Sequence, residues 1–134
     1  MGIVLQSGNL LPTLSVGDNL KVSMLLAGRM DQVWGEVLLK AVGISERVNA
    51  RPGQLSGGEL ARAGLAVALA ASPRILLADE PTGEVDAVTE SFILNFLAEQ
   101  RQAGLAVLVA THSQALAVRA DRIISLQDGR IVDA

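Results

Sequence analysis

Ile75-Leu76-Leu77-Ala78-Asp79-Glu80-Pro81-Thr82 is the stretch on which the reading of the fold turns. Its four leading residues form a short, unbroken apolar run, as expected of a strand buried on both faces. The run ends abruptly in two acids and a proline. Upstream, Gly57 to Ala71 reads as a strongly apolar helix that stops before Pro73. Downstream, Ala87 to Gln102 carries a helical stripe, with Val88, Phe92, Ile93, Phe96 and Leu97 inward and Glu90, Glu99 and Arg101 outward. Ala106 to Ala110 is a second buried strand and ends in Thr111-His112-Ser113. The alternation of strand and helix predicts an α/β fold with a parallel sheet. In such sheets ligands sit beyond the C-terminal ends of the strands. Asp79, Glu80 and His112 all fall at that edge.

Farther out the pattern continues. Ile3 to Leu5 reads as a strand at the opening of the chain, which suggests a start inside a fold. Pro12 and Ser15-Val16-Gly17-Asp18-Asn19 read as loop and helix entry. Met30, Val33, Trp34, Val37, Leu38 and Ala41 follow the spacing of an amphipathic helix, and Gly43 is placed to end it. Arg51-Pro52-Gly53 is a break. Gln114 to Arg119 is a short helix. Ile123 to Leu126 and Arg130 to Val132 flank Asp128-Gly129, a strong hairpin signal.

Composition narrows the functions. The 134 residues are half hydrophobic but only 2% aromatic, so the core is Leu, Val, Ile and Ala. A net charge of −3 and the lack of aromatic platforms argue against a nucleic-acid binder. There is no Cys, which excludes disulfides and thiolate metal sites. No apolar run approaches the ~18 residues of a membrane span, and the opening residues lack a signal-peptide pattern. A soluble cytoplasmic protein without direct membrane insertion is the expectation.

Leu55-Ser56-Gly57-Gly58-Glu59 is the sharpest local signal. Ser-x-x-Glu is a capping box, which satisfies free N–H groups at a helix start. The box does not demand two glycines. Removing side chains there would open the backbone N–H groups to an anion that the helix dipole favours. The residues alone leave those two readings level. Asp79 at a strand end suits a hydrated magnesium ion. Glu80 beside it suits orienting or deprotonating a water; a pair of solvated loop acids is the bland alternative. His112, the only histidine, is placed to hydrogen-bond a phosphate oxygen. Gln6 could touch a metal or water. Asp86 reads first as a helix N-cap, and Arg62 as the partner of an acid.

The order of these elements resembles the ABC-transporter ATPase family. Gln6 matches its Q-loop, Leu55 to Glu59 its signature, Ile75 to Asp79 its Walker B strand, Glu80 its catalytic glutamate, Gly83 to Asp86 its D-loop and His112 its switch histidine. Gln6-Ser7-Gly8-Asn9-Leu10-Leu11-Pro12-Thr13-Leu14 resembles the subgroup serving lipoprotein release and macrolide export. The resemblance implies part of a P-loop NTPase (RecA-like) three-layer core with a mostly parallel sheet, plus a helical subdomain. It divides the chain into a first core strand and Q-loop over 1–7, a helical subdomain over 8–54, and the remaining core over 55–134.

By resemblance, the cofactors are ATP and magnesium. Asp79 and Gln6 would serve the metal, Glu80 the attacking water, and His112 and Gln6 the γ-phosphate. Ser56, Gly57, Gly58 and Asp86 would contact nucleotide, the signature acting on ATP held by an opposite subunit. The partners implied are a transmembrane transporter subunit, faced by the region after Gln6, and a second ATPase domain, with a homo-oligomer as a further possibility. The location implied is cytoplasmic, peripheral at the inner membrane.

The family also needs a Gly-rich loop ending in Gly-Lys-Ser or Gly-Lys-Thr. These residues contain none: the only lysines, Lys21 and Lys40, follow no such loop. The chain by itself is therefore expected to bind ATP weakly or not at all. Other departures are Leu60-Ala61 after the signature, Val67 in place of a usual Arg, and Glu84-Val85 in the D-loop. Two functions follow. One is the C-terminal portion of a transport ATPase; the other is a non-catalytic module that docks on a transporter or lends its signature to a partner's ATP site. The missing phosphate-loop strand would leave a gap, so the Ile123 strand is expected to close onto the Ala106 strand, or a second chain to fill the space.

Overall fold

The structure, a computed structural model, describes residues 1–133. Helix starts are set by side-chain caps. Ser15 accepts from the Asp18 N–H and opens α1 (Val16–Leu26); Asp31 accepts from the Trp34 N–H and opens α2 (Gln32–Ala41). Both helices stop at left-handed glycines, Gly28 (φ +66°) and Gly43 (φ +72°). After Gly43, the Ile44 N–H returns to the Leu39 carbonyl, which satisfies a helix-end acceptor. Two 3₁₀ turns, Ser45–Arg47 and Pro52–Gln54, lead into α3 (Gly57–Ala70).

The sheet has three parallel strands in the order β1 (Gly2–Val4), β2 (Ile75–Asp79) and β3 (Ala106–Ala110). Ile3 lies opposite Leu77, and Leu77 opposite Leu108. Between β2 and β3 runs α4 (Ala87–Gln102), capped by Asp86. A four-residue helix α5 (Gln114–Ala117) follows β3. The hairpin of β4 (Ser125–Gln127) and β5 (Arg130–Asp133) turns at Asp128 and Gly129, both with positive φ, as a two-residue hairpin loop requires.

The core sits where α3 meets its neighbours. Every residue from Ala63 to Ala70 is buried, because α1 and α2 pack on one side and β1 on the other. Gly2 permits this closeness: a Cβ there would lie 2.4 Å from the Ala68 carbonyl oxygen. Leu65, Leu76 and Ile93 are fully enclosed, each contributing about 1.5–3 kcal/mol by leaving water.

Four expectations are corrected. The inward face of α2 is Gly35, Leu38 and Leu39, continued by Val42, while Met30, Val33 and Val37 are exposed. Both faces have helical spacing, and burial selects the one toward α3. On α4, Val88 is exposed and Thr89 takes the buried place in the first turn. β2 and β3 are not covered on both faces. Leu76 and Ala78 are buried on the helix side, but Ile3, Ile75 and Leu108 are exposed on the other. Finally, among the described residues the segment after Ile123 does not close onto β3; β4 pairs with β5 in a separate two-stranded sheet.

Candidate functional site

Parallel strands end on one side, so the residues after β1, β2 and β3 converge. Glu80 follows β2 with φ +44°, a left-handed conformation costly for any residue but glycine. Two bonds hold it there. Its N–H donates to the Ala110 carbonyl at 2.9 Å, and its carboxylate is gripped by the residues after β3. Thr111 Oγ1 donates to Oε2 at 2.9 Å, the His112 N–H donates to Oε1 at 3.0 Å, and His112 Nδ1 lies 2.5 Å from the same oxygen. The Glu80 side chain is only 16% exposed, whereas the imidazole is 87% exposed. Burial alone would raise the Glu80 carboxyl; the Thr111 hydroxyl and the two His112 donors outweigh it and hold the group below the usual glutamate range.

Asp79 and Gln6 line one open groove together with Leu5, Ser7 and Glu84. An adjoining groove carries Gln6, Glu84 and Glu80 on to Gly57. The donors toward the first groove are carboxylates, an amide and a hydroxyl, the hard oxygen set that suits magnesium completed by water and phosphate. Asp79 and Gln6 are of the chemical kind that could serve such an ion, and Glu84 adds a second acid to the groove that the sequence reading did not assign to the site. Among the described residues no phosphate cradle accompanies them. Lys21 pairs with Asp18 at 3.2 Å, on α1, and Lys40 lies in the last turn of α2.

The remaining candidates serve the fold locally. Ser56 and Glu59 form the reciprocal capping box, at 3.1 and 2.9 Å, and Arg47 grips the Glu59 carboxylate at 3.1 and 3.2 Å. The Arg47 side chain and the Ser56 N–H lower the Glu59 pKa. Gly58 is glycine for packing, since a Cβ there would meet Thr89 Oγ1 at 2.6 Å. Gly57 has ordinary room, 3.7 Å from the Glu84 carbonyl oxygen. Asp86 caps α4 by accepting the Thr89 N–H at 2.7 Å, a bond that, with the Thr89 hydroxyl, lowers its pKa. Among the described residues Arg62 has no acid within ion-pair distance; its guanidinium lies 4.6 Å above the Phe92 ring.

Gln6, Asp79, Glu80, His112 and Gly57 are thus brought to one end of the sheet, while Ser56, Gly58 and Asp86 are engaged in caps and packing. Thr111 was missed. Its signal was its place directly before His112 at a strand end, where a hydroxyl can reach the neighbouring strand's last side chain.

Among known proteins, the profile of the ABC transporter family matches residues 1–83. Over the whole chain, the sequence is 44% identical to Lipoprotein-releasing system ATP-binding protein LolD 1 of Rhodospirillum rubrum and 43% identical to an uncharacterized ABC transporter ATP-binding protein of Mycobacterium tuberculosis. It is 38% identical, over 98% of its length, to the macrolide export ATP-binding/permease protein MacB of Hyphomonas neptunium. The chain spans 61%, 56% and 21% of these three relatives, respectively. The dimeric structure of MJ0796, a bacterial ABC transporter cassette, superposes with a TM-score of 0.90 at 34% identity, over 99% of this chain and 61% of that one. The same cassette in a post-hydrolysis dimer with ADP and Pi gives 0.89. No helix among the described residues is long and apolar enough to cross a membrane. The parallel sheet, the residues at its C-terminal edge and these likenesses agree: the chain belongs to the ABC transporter ATP-binding domain family.

Proposed function

We propose that the chain is the C-terminal portion of an ABC transporter ATP-binding subunit, coupling ATP binding and hydrolysis to transmembrane transport. The observation that carries this reading is the Glu80 carboxylate, held at the sheet edge between Thr111 and His112, beside the groove of Asp79 and Gln6. In this account Glu80 orients the attacking water, and His112 is its exposed partner that turns to the γ-phosphate. Asp79 and Gln6 would hold magnesium, which when bound supplies charge neutralisation at the phosphates. Ser56, Gly57, Gly58 and Asp86 lie toward the nucleotide of an opposing ATPase domain.

In this reading the phosphate cradle is supplied by a polypeptide that carries the Gly-Lys-Ser or Gly-Lys-Thr loop. A second ATPase domain, including a second copy of this chain, and a transmembrane subunit are the partners proposed, with the work done at the cytoplasmic side of the membrane. The division into 1–7, 8–54 and 55–134 belongs to the same reading.

A second reading is favoured by one observation, the lack of Gly-Lys-Ser or Gly-Lys-Thr. In it the chain is a non-catalytic module that lends its signature to a partner's ATP site. Turnover separates the two. When the chain is assembled with a polypeptide that supplies the phosphate loop, Glu80→Gln abolishes ATP hydrolysis under the first reading and leaves it unchanged under the second.

A further inference from the structure

The two oxygens of Glu80 are held differently. Oε1 is bound by the backbone N–H of His112 and by an imidazole that is almost fully exposed. Oε2 is bound by the Thr111 hydroxyl, which is itself fixed. A hydroxyl has one proton to give and lone pairs to receive with. Thr111 Oγ1 receives the Ser113 N–H at 3.0 Å, and its proton is thereby directed at the carboxylate.

The chain of bonds continues. Ser113 Oγ donates to Glu90 Oε1 at 3.2 Å and accepts the Leu116 N–H at 3.4 Å. Glu90 stands in the first turn of α4, four residues after the Asp86 cap. Its carboxylate, on the face read as outward, is the last link between the start of α4 and the edge of the sheet.

We propose that Thr111 is the positioning residue for Glu80: it anchors Oε2 to the start of α4 through Ser113 and Glu90, so that Glu80 stays in place when the His112 ring leaves Oε1. This rests on the reading of Glu80 as the residue that orients the attacking water. Thr111 touches no reacting atom in this account and acts only through Glu80. The arrangement divides the labour. The exposed imidazole is free to exchange partners, and the hydroxyl on the other oxygen is not.

The test uses amide and hydroxyl hydrogen exchange by NMR on the whole chain, without nucleotide. The His112 N–H is protected by Glu80 Oε1, and its exchange therefore reports where that carboxylate is. Thr111→Val keeps the shape and loses the hydroxyl. It should speed His112 N–H exchange by about tenfold, the scale of one hydrogen bond to a charged acceptor, while the Leu76 to Ala78 ladder amides stay unchanged. Thr111→Ser should restore the protection. Unchanged protection in Thr111→Val, or a serine variant that behaves like valine, overturns the proposal. In the unaltered chain the Thr111 hydroxyl proton should exchange slowly enough to be seen, and a freely exchanging proton also overturns it, whether or not the variants fold. Because no nucleotide is present, failure here is separate from failure of the ATPase reading. In an assembled ATPase, Thr111→Val should lower kcat with KM for Mg-ATP unchanged and Thr111→Ser should recover it; a change in KM alone would refute the assigned role.

Discussion

Gly57 and Gly58 are adjacent in the sequence and serve different ends. As a pair they suggested an opened helix N-terminus. In the structure only Gly57 reaches a groove that also carries Glu80, and Gly58 is required by the contact with buried Thr89. Gly58→Ala, in the first turn of α3, gains less than the about 1 kcal/mol of helix propensity that an interior site gives and loses about 1–3 kcal/mol to overpacking. The expected outcome is a net destabilisation on the order of 1 kcal/mol in denaturant midpoints. Gly57→Ala, with ordinary van der Waals room, should be neutral or slightly stabilising. Equal effects would mean that Thr89 does not fill the space. The acids were legible at this scale because an apolar run that ends abruptly in Asp-Glu marks the end of a strand. The Gly58–Thr89 contact was not, since nothing in a sequence says which two helix starts will touch.

Helices and strands were the most legible elements. The limits of β3 and α4 agree with the sequence reading, and those of α3 differ by one residue, because caps and glycines mark them locally. What the sequence could not choose was which face turns inward. On α2 two stripes of equal spacing compete, and the side on which α3 lies decides. Capping also has a consequence with pH. Glu59 and Asp86 have lowered carboxyl pKa values, from ordinary values of 4.5 and 3.8. A depressed carboxyl stabilises the fold fully above its unfolded-state value, and that stabilisation is lost as pH falls through the folded-state value. Thermal midpoints should therefore be flat in these groups near neutrality and drop on acidification below the ordinary values. Glu59→Gln keeps a capping side chain and removes the titrating charge, so its midpoint should fall less between pH 5 and 3, an interval of about the carboxylate titration range. An unchanged acid slope would exclude Glu59 as a contributor.

At the scale of the molecule, the sheet is covered by helices on one face and bare on the other. The apolar run at Ile75 to Ala78 signalled the strand, but the burial expected on both its faces is met on one only. Only the assembled structure shows that the side bearing Ile3, Ile75 and Leu108 has no cover among the described residues. The C-terminal edge of the sheet is legible in the same way. Glu80 and His112 were both named from sequence, but the third member of their cluster, Thr111, needed the strand register to be found. What the described residues lack is a cradle for phosphates, and binding measures that directly. Calorimetric titration of the chain with Mg-ATP, using Glu80→Gln to prevent turnover, should give no measurable binding until a polypeptide with a Gly-Lys-Ser or Gly-Lys-Thr loop is added. Saturable binding by the chain alone would contradict the account, because it would place a complete phosphate site within these residues.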